Sequence, residues 1–261
     1  MQIFCKNICL YAEFIVILYR FLTYCQYTMV KRKDHSFGKP WELNPIWDIL
    51  TPEQKLMIAD EMEVVHYKKN EVIYHAGDHP ANIMMLVVGK VRIYKEGNSQ
   101  RQQIIRLLKP FNFFGFRAII TGDDHTSGAS ALEACVVYKL GRDAFLQLLR
   151  ENNSFCYHMM LMIAEHLGSS EQQVVNLTQK HIRGRLAESL LNLIDNYGYD
   201  EDGSTIAMYM SREDLANMSN MTTSNAIRTL SQFAQEQLIA IDGRKIQVLN
   251  EQELKRISRL G

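Results

Sequence analysis

Between Glu63 and Leu140 the apolar residues fall in short alternating runs: "EVIYHAGDHPANIMMLVVGKVRIYKEGN", then "QIIRLL", then "ACVVYKL". Alternation turns successive side chains to opposite faces, which is the signature of strands. Gly77-Asp78, Gly89-Lys90, Gly97-Asn98 and Gly122-Asp123 break the runs at short intervals, as the hairpins of a barrel or sandwich require. This stretch therefore predicts an all-β domain. Ahead of it, "TPEQKLMIADEM" predicts a short helix capped by Thr51, with Pro52 in the first helical position.

After Gly141 the period lengthens. Met160, Ile163, Leu167, Ser170, Val174, Leu177 and His181 recur by threes and fours, the seam spacing of a coiled coil. We expect a long helix that pairs with a second copy through Met160, Ile163, Leu167, Val174 and Leu177. A helix packed on its own barrel is the plainer reading, and Gly168-Ser169-Ser170 weakens the seam. "GRLAESLLNLIDNYG" reads as a second helix ending at Gly198, followed by the solvated turn "DEDGS".

From Ser211 the order is helix, turn, helix, hairpin. Ser211 and Asp214 cap "LANM", whose Leu215 and Met218 face inward, while Ala216 lets a neighbouring helix approach. Asn220 stands where such a joint needs a left-handed residue. In "MTTSNAIRTLSQF", Ala226, Leu230 and Phe233 form a core stripe, whereas Thr223, Ser224, Asn225 and Arg228 lie elsewhere. Short polar side chains cap a first turn; with an arginine one turn on, they also suit reading bases. "LIAIDGRKIQVL" is a hairpin around Asp242-Gly243, with Arg244 and Lys245 at the tip. Such a tip is a phosphate contact or simply a solvated turn.

Composition narrows these readings. The 261 residues are 47% hydrophobic and 22% charged, with a formal net charge of zero, so nucleic-acid contact must be local. Thr178 to Gly261 holds ten Lys or Arg against eleven Asp or Glu. Five cysteines without tight pairing suggest reduced thiols in the cytoplasm. Near the start, "FIVILYRFLTY" is apolar, but Lys6, Glu13 and Arg20 keep the charge-free runs short of the ~20 residues a membrane span needs. Residues 1–28 are expected to be dispensable, with Met29 the start of the folded protein. No Gly-rich phosphate loop, nucleophile elbow or paired metal motif stands out, so an enzyme is not expected.

Residues 45 to 250 resemble the CRP/FNR family of bacterial transcription factors. The resemblance rests on the barrel signature "YHAGDHPANIMMLVVGKVRIYKEG", the helix "RGRLAESLLNL" and the segment "MSREDLANMSNMTTSNAIRTLSQFAQEQLIAIDGRKIQVL". It implies an α+β chain: an N-terminal extension (1–44), a jelly-roll β-barrel of cyclic-nucleotide-binding type (45–150), a dimerisation helix (151–180) and a winged helix-turn-helix (181–261). The implied partners are double-stranded DNA, a second copy, RNA polymerase and an unidentified small-molecule effector, with no cofactor, metal or membrane.

Where the family commonly reads the major groove with Arg, Glu and a later Arg, this chain has Thr223, Ser224 and Arg228, so only the last matches. Asn225 is a further base contact, and Arg212, Thr222, Arg244 and Lys245 are candidate DNA-backbone contacts. In the effector pocket the family's ribose-binding Glu and phosphate-binding Arg-Ser correspond to Phe116, Thr126 and Ser127, and Ser170 and Glu171 stand where the base would be met. An anionic phosphate without its arginine is poorly compensated, so cyclic AMP (cAMP) is not expected to bind. The spacing of Cys5, Cys9, Cys25 and Cys135 does not fit the family's iron–sulfur cluster. His66, His75, His79 and His125 read as ordinary barrel histidines, and Phe111, Phe113, Phe114 and Phe116 as barrel filling. A sensor or protein-interaction module with weak or no DNA binding is the alternative.

Overall fold

The computed structural model describes residues 44–97 and 102–260. The readings of residues 1–28 and of Cys5, Cys9 and Cys25 lie outside them. A short 3-10 turn, Pro45–Ile49, leads into helix α1 (Pro52–Glu61), which Thr51 and Gln54 close with a reciprocal capping box. Eight strands follow: β1 (Glu63–Tyr67), β2 (Val72–Tyr74), β3 (Asn82–Val88), β4 (Val91–Glu96), β5 (Gln102–Leu108), β6 (Phe113–Phe114), β7 (Gly128–Ala131) and β8 (Cys135–Gly141). Helix α2 (Phe116–Thr121) interrupts them between β6 and β7.

The strands form two antiparallel four-stranded sheets, ordered β1-β8-β3-β6 and β2-β7-β4-β5. β3 is apolar almost throughout because both of its faces are covered. Met84 and Leu86 point into the barrel with Phe114 and Val137. Ile83 points outward under α3 (Arg142–Glu151), where it meets Phe145 and Leu148.

Helix α4 (Asn153–Gln179) is 27 residues long and runs unbroken through Gly168-Ser169-Ser170. Only Phe155 and Met159, near its start, are buried. Beyond them Met160, Ile163, Leu167 and Val174 are exposed, Leu167 by 60% and Val174 by 61%, while Leu177 is half-buried. The expected seam is shortened at one end. α4 stops at Gln179, so His181 lies past it as the residue that precedes α5 (Ile182–Tyr197).

The C-terminal part comprises α5, α6 (Arg212–Met218), α7 (Thr223–Gln235), the hairpin β9 (Ile239–Asp242) and β10 (Lys245–Val248), and α8 (Glu251–Leu260). Its core joins Leu186, Leu190, Leu215, Ala226, Leu230, Phe233 and Leu254, and it also takes in Ile104 from β5 of the barrel. That seat is fixed by polar bonds between the two parts. Lys90 Nζ donates to Ala207 O at 3.1 Å, and Tyr197 Oη donates to Leu108 O at 3.3 Å. Among the described residues no helix is long and apolar enough to cross a membrane.

Candidate DNA interface and effector cavity

Two helices meeting through a tight joint build the first site. Ser211 caps α6 by accepting from Asp214 N at 3.0 Å, and Thr222 caps α7 by accepting from Asn225 N at 3.2 Å. Between them Asn220 takes the left-handed conformation at φ 49°, a state in which a short amide side chain is tolerated. Arg185 of α5 clamps this joint: its Nε donates to Ser219 O at 3.0 Å and its Nη2 to Asn220 O at 3.2 Å.

The joint fixes the direction of α7. Ala226, Leu230 and Phe233 are fully buried, which leaves Thr222, Thr223, Ser224, Ile227 and Arg228 exposed on the other face. Arg228 donates to the side-chain carbonyl of Asn225, so two predicted base readers form one unit. Ile227, 48% exposed beside Arg228, had no separate signal in the sequence, where it reads as one more apolar residue. An aliphatic side chain there can meet a thymine methyl.

At the hairpin Gly243 turns at φ 54°, and Arg244 and Lys245 at its tip are exposed. Arg212 also bonds within the protein. Its Nη2 donates to Gly243 O at 2.7 Å, and its Nη1 is buried with no partner among the described residues, so the side chain ties the hairpin to α6. The neutral charge of the region has a local resolution. Glu188, Asp214, Glu236, Glu251 and Glu253 are each held in an ion pair, whereas Arg228, Arg244 and Lys245 pair with no acid among the described residues.

The second site is a cavity of about 470 Å³ between the barrel and α4. Phe116, Thr126, Ser127 and Ser170 all line it; Glu171, one position on, is exposed and does not. Arg117, Ile163 and Leu167 contribute to its wall. Tyr74 stacks on His125 with ring centroids 4.0 Å apart, which makes His125 part of the aromatic wall; burial pushes the Tyr74 hydroxyl up to about 12. Phe116 stacks on His166 of α4 at 5.7 Å.

Arg106 also lines this cavity, a placement that strict alternation along the strand does not reveal. A bulge explains why. Ile93 of β4 faces Arg106 but Tyr94 faces Ile104, so Ile105 is the extra residue and the alternation of β5 flips there. Ile104 is thereby sent out to the C-terminal core and Arg106 turned towards the barrel interior with Ile93. The Arg106 Nη1 donates to His166 Nδ1 at 3.0 Å, since a guanidinium can only donate. Burial first, and the Arg106 charge second, hold His166 down at about 4, so it is the neutral acceptor. Elsewhere Cys135 is buried and its thiol pushed up to about 11, an inert form. Among the described residues no group of three or more His, Cys, Asp or Glu is placed to hold a metal.

Comparison with known proteins matches the same two regions in the same order. A cyclic nucleotide-binding domain matches residues 64–152, and a Crp-like helix-turn-helix domain matches residues 184–257. The chain is 19% identical over 215 residues to the CRP-like cAMP-activated global transcriptional regulator of Mycobacterium tuberculosis, covering 82% of this chain and 96% of that protein. The chain belongs to the CRP/FNR family. Among its relatives is the nitrogen fixation regulation protein FixK of Rhizobium meliloti, 25% identical over 193 residues, which span 74% of this CRP/FNR chain and 85% of FixK. The solved structure of FixK2 from Bradyrhizobium japonicum superposes with a TM-score of 0.68 at 25% identity, covering 75% of this chain and 96% of that one. This CRP/FNR chain thus has the transcription-regulator architecture: an antiparallel β-sheet domain followed by a helix-turn-helix domain.

Proposed function

We propose that this chain is a sequence-specific transcription regulator acting in the bacterial cytoplasm as a homodimer, with one α7 entering each of two successive major grooves of a two-fold symmetric operator. The observation that carries this reading is the outward polar face of α7, which no other element among the described residues covers. Its first two turns present Thr223, Ser224, Asn225 and Arg228 with Ile227 among them, flanked by the basic hairpin tip, while its opposite face is locked in the core. Arg228 reads a guanine through its O6 and N7 acceptors, and Thr222, Arg244 and Lys245 meet phosphates. Arg212 acts mainly by holding the hairpin, which sets where the tip reaches.

A second copy is the fitting partner for α4. A long helix whose exposed stripe is Met160, Ile163, Leu167 and Val174, with Ile163 and Leu167 at the rim of the cavity, leaves apolar surface in water unless another such helix covers it. RNA polymerase, which a promoter-bound regulator would meet, is the further partner of this reading. The barrel serves as an effector domain, and cAMP is not its effector. The ribose-binding carboxylate of the family is replaced by Phe116, which is buried against His166, and no Asp or Glu lines the cavity. The chain carries no catalytic role in this reading.

Selection of bound fragments from a sheared genome with the purified chain tests the proposal. An enriched inverted repeat, bound with strong salt dependence and lost in Arg228→Ala, is the expected result. No enrichment at low salt overturns it in favour of an interaction module.

A further inference from the structure

An arginine turned into an apolar cavity is unusual enough to ask what it faces. Arg106 is surrounded by Tyr74, Ile93, Phe114 and Phe116, its Nη1 is satisfied by a neutral histidine, and no Asp or Glu among the described residues pairs with it. Burial lowers its pKa from the ordinary arginine value, the mark of a cation short of counter-charge. A guanidinium nonetheless keeps its proton, so the charge stays in place. The strand bulge at Ile105 is what aims it inward.

The rest of the wall defines what could answer that charge. Phe114, Phe116, Ile163 and Leu167 offer an apolar surface. The other two cations of the lining, Lys95 and Arg117, are exposed, where they steer an anion towards the opening rather than hold it inside. One interior guanidinium balances one negative charge. A doubly charged phosphate there would leave a net charge buried among aromatic rings.

We propose that the cavity binds a small amphipathic carboxylate, its carboxylate held by Arg106 and its apolar body packed against Phe114, Phe116, Ile163 and Leu167. The inference rests on the regulator reading, because it names the effector class of that barrel. A cavity of about 470 Å³ is in the range that encloses a small organic ligand. The occupant would also touch both sides of a joint: Arg106 links β5 to His166 of α4, and α4 carries the dimer stripe. A carboxylate drawing on Arg106 therefore changes how α4 is held against the barrel.

Calorimetric titration of the full chain with octanoate and phenylbutyrate, each against its uncharged alcohol, tests this. At least one carboxylate should bind about tenfold or more tighter than its alcohol. Arg106→Gln should lose that margin, and Arg106→Lys, which keeps the charge, should retain part of it. Equal binding of acid and alcohol, no binding of either acid, or tighter binding of cAMP or inorganic phosphate overturns the proposal. The acid-to-alcohol contrast is measured on the unmodified chain, so it stands even if Arg106→Gln fails to fold. Operator binding is followed on the same samples. A chain that binds DNA but no carboxylate refutes this inference alone, and one that binds a carboxylate but no DNA refutes the regulator reading alone.

Discussion

Arg92 on β4 and Asp214 in the first turn of α6 form an ion pair across the boundary between barrel and C-terminal domain, 122 residues apart in sequence. Both side chains are largely buried, at 19% and 16% exposure. Asp214 also accepts from the Ser211 hydroxyl at 2.6 Å, and Arg92 Nε donates to Ser130 Oγ at 2.8 Å, so the pair ties the cap of the first helix of the DNA-binding motif to the middle of a barrel sheet. A double-mutant cycle of Arg92→Ala and Asp214→Ala in urea unfolding should give a coupling of about 0.5–3 kcal/mol. Additive losses would show that the barrel and the motif are held together by Ile104 and the other contacts instead.

Arg228→Ala should weaken operator binding by about 1–3 kcal/mol and relax discrimination at a single base position. Lys245→Ala, on the hairpin tip, should weaken all sequences alike and reduce the slope of binding against salt by about one. Fluorescence anisotropy over a series of salt concentrations separates the two. A uniform loss from Arg228→Ala would make it a phosphate contact.

Val174→Glu places a charge on the exposed stripe of α4 without touching the barrel core. The proposed dimer should weaken by at least about a hundredfold, because an unpaired charge would be buried in its seam, while secondary structure is unchanged. Sedimentation velocity reads this directly, and an unaltered dimer would move the interface elsewhere.

At Asn220 the left-handed backbone decides which substitutions the joint accepts. Asn220→Gly should be nearly neutral, and Asn220→Val should cost about 1–2 kcal/mol. Arg185, which holds the carbonyl of this residue, makes the cost appear in DNA affinity as well as in melting temperature.

His166 contributes to the pH dependence of stability. Its folded value of about 4 lies below its ordinary 6.5, so between those values the unfolded chain binds more protons than the folded one. Stability from this residue is complete above that window and falls away as pH drops through it. Arg106 is the charge that adds to burial in setting the shift, and it works in the same direction. Urea midpoints near pH 7 and about pH 5 should differ more in the native chain than in His166→Gln, which can still accept from Arg106 but does not titrate. An equal difference in both would mean that His166 is solvated.

Much of the architecture was written locally. The Thr51 and Ser211 caps, the left-handed Asn220, the Asp242-Gly243 turn and the Ala226-Leu230-Phe233 stripe each follow from a few neighbouring residues, because capping, turn chemistry and side-chain periodicity act over one or two turns of chain. That is why the exposed face of α7 could be named in advance. Arg106, Ile104 and the pairing of Asp214 with Arg92 could not be assigned in the same way. Strict alternation places Ile104 and Arg106 on one face of "QIIRLL", and a single bulge sends them to opposite sides, one into the core of another domain and one into a cavity closed by a helix 60 residues on. Which face a strand residue takes, and which charge finds a partner, is set by sheet register and domain docking. Those depend on contacts between distant segments, which only the tertiary structure decides.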